Sequence, residues 1–351
     1  MILNFPTPED YSADPTGKTD SYAAIQACIN ATPNNGVVMI LPGSRYKISQ
    51  PLQFWNRSGL HVWNPGLNDT DGQGARGAEI IPAFTGAVDA AIVVNGSRKC
   101  RFTGIWLSLD VANPPACGWR VDTFTDPVLG IPTLNNTQNV WDRCGITPPT
   151  LKQLPSGTCT LVDIARTNDN NVDLMTFDNL ILYPAGNPCA YYGVTVGQYN
   201  SKSHRFYRCS FTQAAIGVWA KEGSCLYRDC TSEACQLVLR HDNVGDHFLC
   251  SGWNDENCGQ FASIAGGDSP ALFQCCRIAS PTGPYLFGVS NAGQVEFDGM
   301  EVYAPTAGKT VMFSPPNSGF GTSVKWGQNL IRNVVVNRLG YEFNGSRERS
   351  Y

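Results

Sequence analysis

The chain has 351 residues, a formal net charge of −4, only 15% charged residues, and 35 Gly with 23 Pro. That length accommodates two ordinary domains or one elongated repeat fold, and the abundant Gly, Asn, Ser and Thr suit a turn-rich β protein. The acidic balance offers no basic patch, which argues against a nucleic-acid partner. No run of eighteen apolar residues is present to cross or insert into a membrane.

The N-terminus lacks a basic segment followed by an apolar core, so no secretory signal is expected. Asp14, Pro15 and Gly17 form a turn cluster, in which Pro presets φ and Gly takes φ > 0. Thr19 or Asp20 supplies an N-cap oxygen for a helix in which Tyr22, Ile25 and Ile29 share one face. Asn34, Asn35 and Gly36 end that helix. A short apolar run over 37–41 has strand length, Pro42 and Gly43 turn the chain, and Tyr46, Lys47 and Ile48 read as the next strand.

The run from 10 to 52 resembles the opening of the right-handed parallel β-helices of the pectate-lyase-like superfamily, which includes many bacteriophage tail spikes. Ser12 stands where that family usually carries Gly. The resemblance implies an all-β solenoid, a right-handed parallel β-helix with a short N-terminal capping helix that covers the unpaired backbone of the first coil. Residues 1–52 would form the cap and opening segment, 53–335 the shaft, and 336–351 a polar C-terminal tail.

A β-helix repeats once per coil. The recurring unit here is an aromatic or Leu followed five positions later by another bulky residue, with small polar residues between. It occurs at 102–107, 177–182, 206–211, 226–231, 248–253, 273–278, 297–302 and 326–331. From 177 onward the steps are 20 to 29 residues. Stacked rungs about 4.8 Å apart would place these residues on one another inside the shaft. The segment 113–157 breaks the rhythm with Pro114, Pro115, Pro127, Pro132, Pro148 and Pro149, and reads as a loop leaving the shaft.

The chain carries 14 Cys and 4 His and contains no Cys-x-x-Cys pair, so no metal site and no cofactor are expected. Cys100, Cys209, Cys230, Cys250, Cys275 and Cys276 fall within or beside the repeat units, which suggests a stacked interior ladder of thiols in a protein folded in a reducing cytoplasm.

In this fold an active site lies in a groove on the outer wall, built from neighbouring coils. The region between 206 and 273 is densest in candidates. Glycoside hydrolysis needs two carboxylates, and Glu233 with Asp255 or Glu256 lies one coil apart. Polysaccharide β-elimination needs a base and a cation, roles open to His241 with Arg240 or Arg228. Asp246 and His247 belong to the same cluster, and Trp219 and Tyr227 are rings suited to stacking on sugars. The resemblance implies a tail-spike-type virion surface protein, assembled in the host cytoplasm. It would be a homotrimer in contact with other virion proteins, binding a bacterial surface polysaccharide and, with a competent carboxylate pair, cleaving it. Two alternatives stay open: a non-enzymatic structural, adhesive or capsid-decoration virion protein, and a free microbial polysaccharide lyase or glycoside hydrolase.

Overall fold

The computed structural model describes residues 5–66, 77–125, 130, 134–149, 159–167, 171–183, 191–197, 201–243, 248–265, 270–290, 294–303, 311–313, 330–332 and 335–337. Among these, short strands follow one another in a fixed cycle. Cys225–Arg228, Thr231–Glu233 and Leu237–His241 make one coil, and Phe248–Ser251, Asn254–Glu256 and Gln260–Ala265 make the next. Corresponding strands pair in parallel from coil to coil, giving three long sheets beside a two-stranded one of Asn136–Thr137 and Val172–Asp173. Among the described residues the first has 11 strands, from Val37–Met39 to Leu330–Arg332. The second has 12, from Thr16–Asp20 to Val335–Asn337, and the third has 10, from Leu52–Trp55 to Val311–Phe313. The fold is a right-handed parallel β-helix, the hand that parallel crossovers take.

Helix α1 (Tyr22–Ala31) starts where Asp20 accepts the Tyr22 N–H at 3.1 Å. It packs on strands Arg45–Ile48 and Leu52–Trp55, adding Ile25, Cys28 and Ile29 to the common core. Before it, the Asp14 carboxylate accepts the N–H groups of Thr16, Lys18 and Thr19, which fixes the expected turn cluster.

Strand alternation fills the lumen. On the first sheet, Phe102, Trp141, Phe177, Phe206 and Tyr227 are successive register partners. Their rings stack with centroids 5.3, 4.8, 5.1 and 5.1 Å apart. The column continues through Cys250, Phe273 and Phe297. On the second sheet Leu107, Ile146, Leu182 and Phe211 stack likewise. Each fully buried aromatic of this kind contributes roughly 1.5–3 kcal/mol through area removed from water.

The bend from the first to the second sheet takes one left-handed residue per coil. Arg143, Asn179, Arg208, Asp229, Gly252 and Cys275 have φ between 51° and 67°. Their N–H groups donate to the last strand residue of the following coil, as Asp229 does to the Ser251 carbonyl, so the backbone ladder runs on around the corner.

Two repeat units shift. In the coils at 226–231 and 248–253 the column takes Tyr227 and Cys250, because alternation turns Leu226 outward and places Phe248 two residues before the stacked position. The unit at 326–331 begins at Trp326, outside the described residues. Segment 113–157, expected to leave the shaft, contributes strands to every sheet: Cys117–Asp122, Val140–Asp142 and Gly145–Thr147, with Trp141 at the centre of the aromatic column. Pro114, Pro115, Pro148 and Pro149 fall in the connections, where no ladder N–H is required.

Candidate functional site

The alternation that builds the lumen also sorts the candidate site residues. On Thr231–Glu233, Ser232 points inward and Glu233 outward; on Asn254–Glu256, Asp255 points inward and Glu256 outward. Tyr227 is interior and Arg228 exterior, and His241 is interior beside the outward Arg240. Asp255, His241 and Tyr227 are each 1% exposed or less, so none of the three reaches a polymer lying on the wall. Of the two pairings expected for Glu233, the one with Asp255 is therefore ruled out, while Glu233 and Glu256 are register partners on the outer face of the second sheet. Arg228 stands on the first sheet, and Trp219 and Arg240 on the third, so the exterior candidates occupy three walls. Asp246 and His247 lie outside the described residues.

Burial disfavours the charged form of each of these groups. The His241 Nε2 is 2.9 Å from the Tyr227 hydroxyl, and burial lowers its pKa to about 3. Asp255 accepts the Ser232 hydroxyl at 2.5 Å, and burial raises its pKa to about 6. His204, 2.7 Å from the Ser201 hydroxyl, is likewise lowered by burial to about 3. These are lumen contacts that polar side chains make when alternation places them inside.

A groove of about 410 Å³ lies on the outer face of the third sheet, lined by Thr160, Asp163, Arg166, Tyr192, Thr195, Gly197, Trp219 and Lys221. Register builds it, because Arg120, Asp163, Thr195, Trp219 and Arg240 follow one another as Cα partners on successive coils. The Tyr192 ring meets the Trp219 ring edge-on at 5.3 Å. The Arg240 guanidinium lies over the Trp219 ring at 4.4 Å, and the Lys221 ammonium at 5.3 Å.

The carboxylates around the groove are engaged on both oxygens. Asp163 accepts Arg166 Nε at 2.5 Å and the Thr195 hydroxyl at 2.6 Å. Asp242 accepts Arg240 Nε and the Trp219 indole N–H, both at 2.7 Å. Asp122, fully buried, accepts two N–H groups of Arg120 and the backbone N–H groups of Thr123 and Thr167. Asp89 joins Arg120 to Arg166. Burial works to raise the Asp89 pKa, but the hydrogen bonds and charges of Arg166 and Arg120 outweigh it and hold the carboxyl below its ordinary value.

This arrangement suits binding better than proton transfer. A general acid or base must have an oxygen aimed at the substrate, and Asp163 and Asp242 spend theirs on orienting an arginine, a hydroxyl and an indole. What the groove presents is a fixed aromatic pair with cationic and hydroxyl donors at its margin. Among the described residues, no three His, Cys, Asp or Glu side chains are placed to hold a metal ion.

Sequence reasoning located Trp219 and Arg240 but missed Asp163, Arg166, Tyr192 and Thr195. Positions along the row, 120, 163, 195 and 219, are unevenly spaced because the loops between coils differ in length. Alternation within each strand finds only Tyr192, which with Thr160 and Trp219 is the half-exposed member of an otherwise buried run.

No protein-family model matches the sequence, and no curated protein matches it in sequence. Solved structures are similar in fold. The gp42 tailspike of Acinetobacter phage vb_AbaP_AS12 has a TM-score of 0.52 at 13% identity, over 100% of this chain and 65% of its own. The chain thus spans just under two thirds of that tailspike's length. The catalytic unit of a GH87 α-1,3-glucanase from Streptomyces thermodiastaticus has a TM-score of 0.52 at 14% identity, over 97% of this chain and 70% of its own. The A-module of the Azotobacter vinelandii mannuronan C-5 epimerase AlgE4 has a TM-score of 0.52 at 12% identity, over 97% of this chain and 100% of its own.

Proposed function

We propose that the chain is a tail-spike-type surface protein of a bacteriophage virion, and that it binds a bacterial surface polysaccharide along the groove of the third sheet. The observation that carries this reading is the Tyr192–Trp219 ring pair, held by Arg240 and Asp242 beside a network of paired charges. Rings braced in this way stack on sugar faces at little entropic cost, and the surrounding hydroxyl and cationic donors suit sugar hydroxyls and carboxylates. Its fold likeness to a tailspike and to two proteins named for polysaccharide chemistry supports the reading. The partners in this reading are two further copies in a homotrimer and other virion proteins. Retention of purified capsular polysaccharides and lipopolysaccharides on the immobilised chain tests it: Trp219→Ala and Lys221→Ala should each reduce retention, and equal retention by wild type and both variants would remove the groove from the account.

A second reading, hydrolysis, is favoured by the register pairing of Glu233 with Glu256. Partners across a parallel ladder lie about 4.8 Å apart, close to the carboxyl separation of retaining glycosidases. Release of new reducing ends from a bound glycan, abolished by Glu233→Gln and by Glu256→Gln, would support cleavage. Release of an unsaturated product absorbing in the ultraviolet would point to elimination instead. Binding without either product leaves an adhesive virion protein.

A further inference from the structure

All 13 described cysteines are free thiols, and all but Cys275 are buried. Six of them form pairs, and each pair bridges one gap between successive coils. Cys209 and Cys230 occupy the same bend position one coil apart, directly before the register partners Ser210 and Thr231. Cys235 and Cys258 occupy the next bend, where the Cys258 sulfur accepts the Cys235 N–H at 3.2 Å. Cys250 and Cys276 lie diagonally across the following gap with sulfurs 3.8 Å apart. The pairs together span four consecutive coils, from the one containing Ser210–Thr212 to the one containing Arg277–Ala279.

We infer that these pairs are sites of oxidative cross-linking, at which a small-molecule disulfide converts neighbouring thiols into bridges that tie four coils together. For Cys209–Cys230 and Cys235–Cys258, neighbouring rungs place Cα atoms about 4.8 Å apart, inside the span that a disulfide tolerates, and for the diagonal pair the 3.8 Å between the sulfurs brings them within reach. In each reaction one cysteine thiolate attacks the small disulfide and releases one small thiol. Its partner then attacks the mixed disulfide and releases the second. Two protein thiols lose two electrons, and the small disulfide becomes two thiols. The six thiols are 2% exposed or less, so exchange proceeds through local opening of a coil and is slow beside reaction at Cys275. Each bridge closes a loop of some twenty residues and restricts the unfolded chain.

The test is incubation of the full chain, purified under reductant, with oxidised glutathione, first in buffer and then in sub-denaturing urea that admits local opening. Non-reducing peptide mapping should recover the linked pairs Cys209–Cys230, Cys235–Cys258 and Cys250–Cys276, each with the loss of two hydrogens. The melting temperature should rise and return to its starting value on reduction. Cys276→Ser should delete one linked pair and spare the other two, and Cys209→Ser should do the same for its own pair. Glutathionylation of Cys275 shows that the oxidant was active. If Cys275 reacts and none of the three pairs appears under either condition, or if linked peptides join other cysteines instead, the inference is overturned.

Discussion

Trp219 and Arg240 are Cα partners on adjacent coils, and the guanidinium that covers the indole also donates to Asp242, the carboxylate that accepts the indole N–H. Ring, cation and anion thus fix one another on the outer wall. Replacing Trp219 by Ala removes the stacking surface and leaves Asp242 without one donor. Affinity for a bound glycan should fall about tenfold or more, the loss expected of a central aromatic anchor. The lumen is untouched by this change, so circular dichroism and thermal unfolding should stay close to wild type. Calorimetric titration with a retained polysaccharide reads the first effect and a melting curve the second.

The aromatic column carries stability. Phe177 lies between Trp141 at 4.8 Å and Phe206 at 5.1 Å and is fully buried. Phe177→Ala should destabilise the shaft by about 3–5 kcal/mol, and Phe177→Leu by clearly less, because the residual cavity is smaller. Denaturant unfolding of the two variants beside wild type measures the difference.

Protonation should pull stability in opposite directions within three successive coils. The folded-state pKa values of His204 and His241 are lowered by burial to about 3 from 6.5, so their contribution is present above pH 6.5 and is lost as pH falls below it toward 3. The folded-state pKa of Asp255 is raised by burial to about 6 from 3.8, so its contribution is fully present below pH 3.8 and is lost as pH rises through 6. Asp255→Asn should therefore remove the component of melting temperature that falls as pH rises from 3.8 to about 6, the window between the unfolded and folded values. His241→Phe should flatten the decline below pH 6.5. Melting curves across that range, with an unchanged slope in either variant as the contrary result, decide each case.

Ala234 holds a left-handed backbone, with φ of 52°, at the bend between the second and third sheets. A left-handed conformation costs a non-glycine residue about 1–2 kcal/mol, offset in part by the entropy that Gly brings to the unfolded chain. Ala234→Gly should raise stability slightly, by up to about 1 kcal/mol, and denaturant midpoints should show it.

The opening segment was legible because its turns, helix and first strands are specified by short-range chemistry: Pro15 and Gly17, the face shared by Ile25 and Ile29, and the turn at Pro42. The coil period was legible wherever an aromatic marks the interior, as at Phe177 and Phe206. It failed at Leu226, where an outward leucine stands beside the inward Tyr227, and over 113–157, where prolines in the connections hid the strand that holds Trp141. The site was harder still. Glu233 and Asp255 sit one coil apart in sequence, yet an offset of one residue in register places them on opposite faces of the wall. Proximity along the chain does not carry that parity, and loop lengths between coils set which residue meets which.

The central claim, that the third-sheet groove holds a polysaccharide, is tested most directly by glycan retention on the groove variants, measured with purified surface polysaccharides from a panel of bacteria. Wild type should retain at least one polymer, and Trp219→Ala and Lys221→Ala should lose most of that retention while Glu233→Gln keeps it. Full retention by both groove variants, with loss on Glu233→Gln, would contradict the claim and move the site to the second sheet.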